Sequence, residues 1–213
     1  MKIEDLLFVT TAAELTAAIM AVIYFWKYRA SNEKYFLFFL WYVVLVDIVG
    51  AVMGYVFEMN NFWWYNLYTV TSFLFYFYWY NSILKSVFFR KFIRYFAITF
   101  FLVAVASFIW QDWDVYHKYT FVTGAFFLLI LTVFHFYQLL NSNQVLVVKH
   151  KLSFWISTGL LLFSVGMIPL FSLSEYLNFK GSGFIMTIVS LNIILYGCYI
   201  IGFLWTKEKY NRF

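Results

Sequence analysis

Seven long hydrophobic runs follow one another along this chain, and only short polar connections separate them. Most of these runs match the roughly 20 residues that an α-helix needs to cross the hydrocarbon core of a bilayer. Short connections are typical of helices that neighbour each other in a bundle. The pattern predicts one all-α membrane domain over 1–213, a seven-transmembrane-helix bundle with helices at 5–26, 35–57, 62–84, 93–110, 119–140, 152–173 and 184–205.

The composition agrees with this pattern. The chain is 64% hydrophobic and only 12% charged, with a mean hydropathy of +0.79, whereas roughly 25% of a typical soluble domain is charged. Seven spans use nearly all 213 residues, so we expect no soluble catalytic, nucleotide-binding or DNA-binding domain and no direct binding of nucleic acid. The first run lacks a preceding basic leader, so we expect it to be a retained helix rather than a signal peptide.

The basic residues predict the orientation of the bundle. Short loops rich in Lys and Arg stay on the cytoplasmic side. Alternate connections and the tail carry 12 of the 15 basic residues, which predicts an N-terminus outside and a C-terminus in the cytoplasm, in a multi-pass protein of a bacterial cytoplasmic (inner) membrane. The 12 residues are Lys27, Arg29, Lys34, Lys85, Arg90, Lys91, Arg94, Lys149, Lys151, Lys207, Lys209 and Arg212.

Aromatic residues make up 26% of the chain. Eight of the nine tryptophans fall near predicted helix ends, where indole rings favour the headgroup boundary. Trp79 is among those assigned to the inner boundary. We interpret the aromatic richness chiefly as lipid-facing bulk, with stacking surfaces for a ligand as the alternative.

Two carboxylates interrupt the hydrophobic runs near the centres of the first two helices, Glu14 and Asp47. A central carboxylate costs about 2.5–3.5 kcal/mol on insertion scales, and such residues usually mark functional sites. Small residues follow each acid on the same helix face, which predicts a tightly packed antiparallel pair of helices. These residues are Ala17, Ala18 and Ala21 after Glu14, and Gly50, Ala51 and Gly54 after Asp47.

The two acids are predicted to lie at nearly the same depth. A rise of 1.5 Å per residue places Glu14 roughly 14 Å and Asp47 roughly 15 Å below the outer boundary. If the two small-residue stripes face each other, the carboxyl groups can meet. Two carboxylates in a dry site cannot easily both ionise, so the pair would hold one proton or recruit a cation. The alternative is a structural role, in which protonated or capped acids only hold helices together.

Three other polar residues complete the candidate site for a ligand, an ion or a proton. Asn192 and Ser164 are predicted at a similar depth to the acids, and Asn66 lies nearer the outside. Together with Glu14 and Asp47 they would line a small pocket that opens outward. His135, near the inner end of the fifth helix, is either a proton relay or a satisfied interfacial histidine.

These features favour a non-enzymatic protein without a cofactor or a metal site. The leading hypothesis is a sensor or accessory subunit that acts through the Glu14/Asp47 pocket. Because its loops are short, a protein partner or a homo-oligomer is expected besides the lipid bilayer. The alternative is a small proton- or cation-conducting channel or transporter that works either as a single copy or as an oligomer. An intramembrane enzyme is the least favoured reading, since no catalytic residues are recognisable.

Overall fold

The computed structural model describes residues 3–142, 145–174, 176 and 181–211. Within these ranges the chain is almost entirely helical and contains no strand. Seven α-helices are present there: α1 (Ile3–Ile23), α2 (Lys34–Ala51), α3 (Phe62–Ile83), α4 (Val87–Trp110), α5 (Lys118–Leu140), α6 (Leu152–Leu173) and α7 (Ser182–Trp205). The predicted all-α architecture is confirmed.

Five of the helices are long and apolar enough to cross a membrane, namely α4 to α7 and α2 with the turn that extends it to Val56. Helix α1 contributes the shorter apolar stretch Phe8–Ile23. Helix α3 is less apolar, because Asn, Thr, Ser and Tyr interrupt it. Many large hydrophobic side chains, including Phe38 and Ile109, lie on the outer surface. The chain is therefore a multi-pass helical membrane protein.

Helix α4 begins at Val87, six residues before the predicted start at 93. Most of the connection that the predicted bounds leave between 84 and 93 is therefore helical, and the predicted start of this helix is wrong. Apolar residues at helical spacing explain the difference, because Phe89 stacks on Phe134 of α5 at 4.4 Å and Ile93 is buried. Arg90, Lys91 and Arg94 lie on the first turns of the helix.

Helix α2 ends in one turn of π-helix, Val52–Val56, which includes Gly54. Two side chains at the start of α3 hold the end of α2: Asn61, which directly precedes the helix, and Trp64. The Asn61 amide donates a hydrogen bond of 2.9 Å to the Gly50 carbonyl, and the Trp64 indole donates one of 3.0 Å to the Val46 carbonyl. These bonds hold the Asp47 turn of α2 against α3.

The helices form a closed ring in which α1 packs on α2 and α7, α2 packs on α3, α3 packs on α5, α5 packs on α6, and α6 packs on α7. Helix α4 lies outside this ring, against α3 and α5. The interior is rich in aromatic rings, such as the stacked pair Phe39 and Phe75 at 4.2 Å. Trp79 is fully buried among them, so its assignment to an interfacial belt is wrong.

Hydrogen bonds gather the alternate connections at one end of the bundle, which we call the basic end. There the Lys27 ammonium donates to the Leu204 carbonyl at 2.9 Å, and the Asn32 amide donates to the Ser82 carbonyl at 3.1 Å. The start of α2, the end of α3, the start of α6 and the end of α7 all lie at this end. Most of the described basic residues therefore share one side of the molecule.

Candidate functional site

Glu14 of α1 and Asp47 of α2 lie beside each other inside the bundle. Their carboxyl groups lie within electrostatic range of each other. Glu14 is only 4% exposed, and Asp47 is partly buried. The structure thus brings together the two groups that the sequence places at one depth.

The carboxyl group of Glu14 is incompletely satisfied. Its Oε2 atom has no hydrogen-bond partner within the described part of the chain, although buried polar atoms in proteins nearly always have one. Two neighbouring carboxylates in a medium of low dielectric constant cannot easily both ionise. One proton shared between the pair would remove this repulsion and supply a donor.

Tyrosines surround the two acids. Tyr196 of α7 lies within electrostatic range of both acids, and so do Tyr65 and Tyr68 of α3. We call this group the acid cluster: Glu14, Asp47, Tyr65, Tyr68 and Tyr196. Because four helices contribute to it, the cluster lies at the centre of the α1, α2, α3 and α7 contacts.

The glycine stripe of α2 faces α3. A Cβ atom at Gly50 would lie 2.5 Å from the Tyr65 hydroxyl oxygen, and one at Gly54 would lie 3.2 Å from the Asn61 amide nitrogen. The condition that the two small-residue stripes face each other is therefore not met at Gly50 and Gly54. The missing side chain at Gly50 makes room for the Tyr65 ring and lets its hydroxyl reach the side of Asp47.

The alanine stripe of α1 is close-packed as expected, and α1 as a whole packs on two helices. Ala17, Ala18 and Ala21 are fully buried, and α1 packs more extensively against α7 than against α2. Small side chains let two helix backbones approach closely. This approach brings Tyr196 of α7 to Glu14, a neighbour that the sequence did not reveal.

Asn192 lies one helical turn from Tyr196 on the same face of α7. Its side-chain amide donates a hydrogen bond of 2.9 Å to the Ile188 carbonyl of its own helix. Asn192 therefore continues the polar face of α7 beyond the acid cluster, without a described bond to either acid.

Ser164 of α6 is fully buried, and its hydroxyl has no hydrogen-bond partner in the part of the chain that the structure describes. The neighbouring contacts of α6 fix its level. Gly159 lies against Leu195, and Gly166 lies against Leu191. Ser164 is therefore level with the Asn192 turn of α7, as its predicted depth requires.

Asn66 has a different environment. Its amide nitrogen donates to the Val115 carbonyl at 2.9 Å, and its amide oxygen accepts from the His117 backbone N–H at 2.9 Å. Both bonds reach the connection between α4 and α5. Asn66 thus binds a loop to α3, and we call this arrangement the Asn66 clamp.

A polar stripe on α3 could have revealed the tyrosines before the structure was known. Positions 65, 69, 72, 76 and 80 are all polar or tyrosine and recur every three or four residues, which is one helix face. On this face Tyr76 reaches across the bundle to the Tyr199 hydroxyl at 3.4 Å. The hydroxyl groups of α3 and α7 thus continue from the acid cluster toward the basic end.

No protein-family model, no curated protein and no solved structure matches this chain. The chemistry of the site therefore has to be inferred from its geometry. Two carboxyl groups and a series of phenol hydroxyls can bind, share and pass on protons.

Proposed function

We propose that this protein is a small non-enzymatic proton conductor of the membrane, in which the Glu14/Asp47 pair binds the proton in transit. The observation that carries the proposal is the placement of two carboxyl groups within electrostatic range of each other in the bundle interior. Ionisable residues inside membrane bundles mark proton and ion pathways. The tyrosine hydroxyls around the pair extend the route from it.

The surroundings of the acids favour a proton over a larger cargo. Glu14 is almost completely enclosed, and Tyr65 fills the space beside Gly50. A hard metal cation such as Ca²⁺ takes six to eight oxygen ligands in a roomy site, whereas a proton needs only a donor and an acceptor. The polar groups lie within one bundle, so a single copy suffices for conduction.

We further propose that all seven helices span a cytoplasmic membrane, with the N-terminus outside and the basic end inside. What supports this orientation is the alternation of the helices together with the collection of basic loops at one end. In this orientation the acid cluster lies in the middle of the membrane.

Proton flux into liposomes tests the proposal. Purified protein is reconstituted into vesicles that contain a pH-sensitive dye, and a potassium diffusion potential drives protons inward. We expect a flux proportional to the amount of protein, and at least a tenfold loss in both Glu14→Gln and Asp47→Asn.

The matched control is Glu58→Gln, which neutralises an exposed acid outside the cluster and should leave the flux unchanged. A wild-type flux no greater than that of empty vesicles would overturn conduction. An equal flux in wild type and both cluster variants would show that the pair is not on the route.

The second candidate is a sensor or accessory subunit. The observation that favours it is that α1, which carries Glu14, packs on both α2 and α7. A change in the charge of the pair would therefore alter two helix interfaces. This function predicts pH-dependent hydrogen exchange in α1 and α7, absent in Asp47→Asn, without any proton flux.

A further inference from the structure

A third buried carboxylate lies at the basic end of the bundle. Glu33 directly precedes α2 and is only 1% exposed, yet neither of its carboxylate oxygens has a well-formed hydrogen bond within the described ranges. The hydroxyls of Ser31 and Ser153 lie near it, but Ser31 donates its proton to the Tyr28 carbonyl at 2.8 Å. A buried and unsatisfied carboxylate is costly, which calls for a role beyond packing.

The charges around Glu33 come from the starts of α4 and α6. Burial raises the pKa of Glu33, and the charge of Lys151 only partly opposes this. Burial also lowers the pKa of Lys151, and the charge of Lys85 adds to that effect while Glu33 opposes it. Both Glu33 and Lys151 therefore hold their charges less firmly than exposed residues would.

Three hydrogen-bonded side chains lie next to these groups. The Ser157 hydroxyl is 2.9 Å from the Tyr80 hydroxyl and 2.8 Å from His135 Nδ1. A serine hydroxyl carries one proton, so it donates to one neighbour and accepts from the other. Tyr80, Ser157 and His135 are buried and belong to three different helices, α3, α6 and α5.

The two groups are neighbours on α6. Ser153, beside Glu33, and Ser157 are four residues apart on α6 and share one helix face. Lys151 acts electrostatically on both Glu33 and His135. We call the combined group the inner cluster: Glu33, Lys151, Ser153, His135, Ser157 and Tyr80.

Tyr80 is the member of the inner cluster that lies nearest along α3 to the residues leading to the acid cluster. It lies one turn from Tyr76 on the polar face of α3 and within electrostatic range of both Tyr76 and Tyr199. Tyr76 in turn lies within electrostatic range of Glu14. Protonatable groups therefore follow α3 from the middle of the bundle to its basic end.

We propose that the inner cluster is a second proton-binding site, which exchanges protons between the acid cluster and the aqueous side at the basic end. This inference rests on the proposed function, and it assigns the internal terminus of the route. Glu33 takes up a proton from water, and His135, Ser157 and Tyr80 pass protons onward.

Each transfer is a balanced exchange along hydrogen bonds. Glu33 gives up the proton that it took from water, and His135 gains a proton on Nε2 while it releases the proton of Nδ1 to Ser157 Oγ; Ser157 gives its own hydroxyl proton to Tyr80. Tyr80 passes its hydroxyl proton to the Tyr76 oxygen across one turn of α3, and Tyr76 gives its own hydroxyl proton to the Glu14/Asp47 pair, which is the final acceptor. No covalent bond between heavy atoms changes, and no electrons are transferred. The turn between Tyr80 and Tyr76 is the longest step, so we expect it to limit the rate.

Ser157→Ala tests the inner cluster because it removes the hydroxyl between Tyr80 and His135 and changes little else. In the liposome assay we expect at least a tenfold loss of proton flux. Thr158→Val is the matched control, since within the described ranges the Thr158 hydroxyl bonds only the Phe154 carbonyl of its own helix, at 2.8 Å. That variant should keep the wild-type flux.

Glu33→Gln provides a second variant of nearly unchanged shape, and we expect at least a fivefold loss of flux. Wild-type flux in both Ser157→Ala and Glu33→Gln, with the flux still abolished in Glu14→Gln, would overturn the inner cluster and leave the proposed function intact. An absence of flux from wild type itself would instead overturn the proposed function.

Discussion

The acid cluster and the Asn66 clamp are two buried polar arrangements of α3 that differ in how well they are satisfied. The Asn66 amide uses its oxygen and its nitrogen on two backbone groups of one loop. Glu14 is equally enclosed, yet one of its carboxylate oxygens has no partner in the described ranges. An amide whose hydrogen bonds are all made holds a structure together. A carboxyl group that lacks a partner and lies beside a second acid can bind a proton.

Depth and polarity alone therefore do not identify a functional residue. From the sequence, both Asn66 and Glu14 are candidate site residues, because both are polar residues within hydrophobic helices. The two residues differ in the hydrogen-bond partners that the structure gives them. The two arrangements should therefore respond in opposite ways to mutation, with stability affected at the clamp and conduction affected at the acids.

The largest loss of stability is expected from Asn66→Ala. This change leaves the buried His117 backbone N–H and the Val115 carbonyl without their partner, at a cost of about 3 kcal/mol in the free energy of unfolding. Chemical unfolding in detergent micelles measures this loss. The flux per folded molecule should stay at the wild-type level, and a loss of flux there would remove the distinction between clamp and acid cluster.

A smaller effect is expected at Gly50. In Gly50→Ala the new methyl group overlaps the Tyr65 ring, and such overpacking costs about 1–3 kcal/mol. Since Tyr65 lies beside Asp47, the flux should fall as well.

Gly197→Ala is the matched control for Gly50, because nothing lies within 4 Å of a Cβ atom at that position. It should stabilise the protein by about 0.5–1 kcal/mol, the gain of alanine over glycine inside a helix. Equal melting temperatures of the two glycine variants would contradict the packing of Tyr65 on Gly50.

The smallest effect is the pH dependence caused by Glu33. Because burial raises its pKa, the folded state binds the proton more tightly than the unfolded state does. The resulting stabilisation is complete below the unfolded value of about 4.5 and is lost as the pH rises through the raised value. Glu33→Gln should therefore gain in melting temperature relative to wild type as the pH rises, and a constant difference would contradict the burial of the carboxylate.

Much of the fold could be predicted from the sequence, because long apolar runs have few alternatives to membrane helices. The start of α4 was missed because charged residues on its first turns conceal the apolar face of Phe89 and Ile93. The depths of Glu14 and Asp47 could also be predicted, since a helix has a fixed rise per residue.

The neighbours of the acids could not be predicted in the same way. Small residues show that a helix face is close-packed, but they do not show which helix packs on it. A tyrosine of α3 packs on Gly50, and α1 packs more extensively on α7 than on α2. Likewise, Ser157 and His135 are 22 residues apart in sequence, and only the packing of α5 on α6 brings them together.

The number of protons that the Glu14/Asp47 pair holds is the most direct test of its proposed role as the proton-binding site. Infrared spectroscopy at neutral pH measures the carbonyl stretching band of protonated carboxyl groups in wild type and in the double variant Glu14→Gln/Asp47→Asn. We predict that the double variant lacks the intensity of one protonated carboxyl group per protein. A difference of zero, which means two ionised acids, or of two, which means two neutral acids, would contradict a pair that shares one proton.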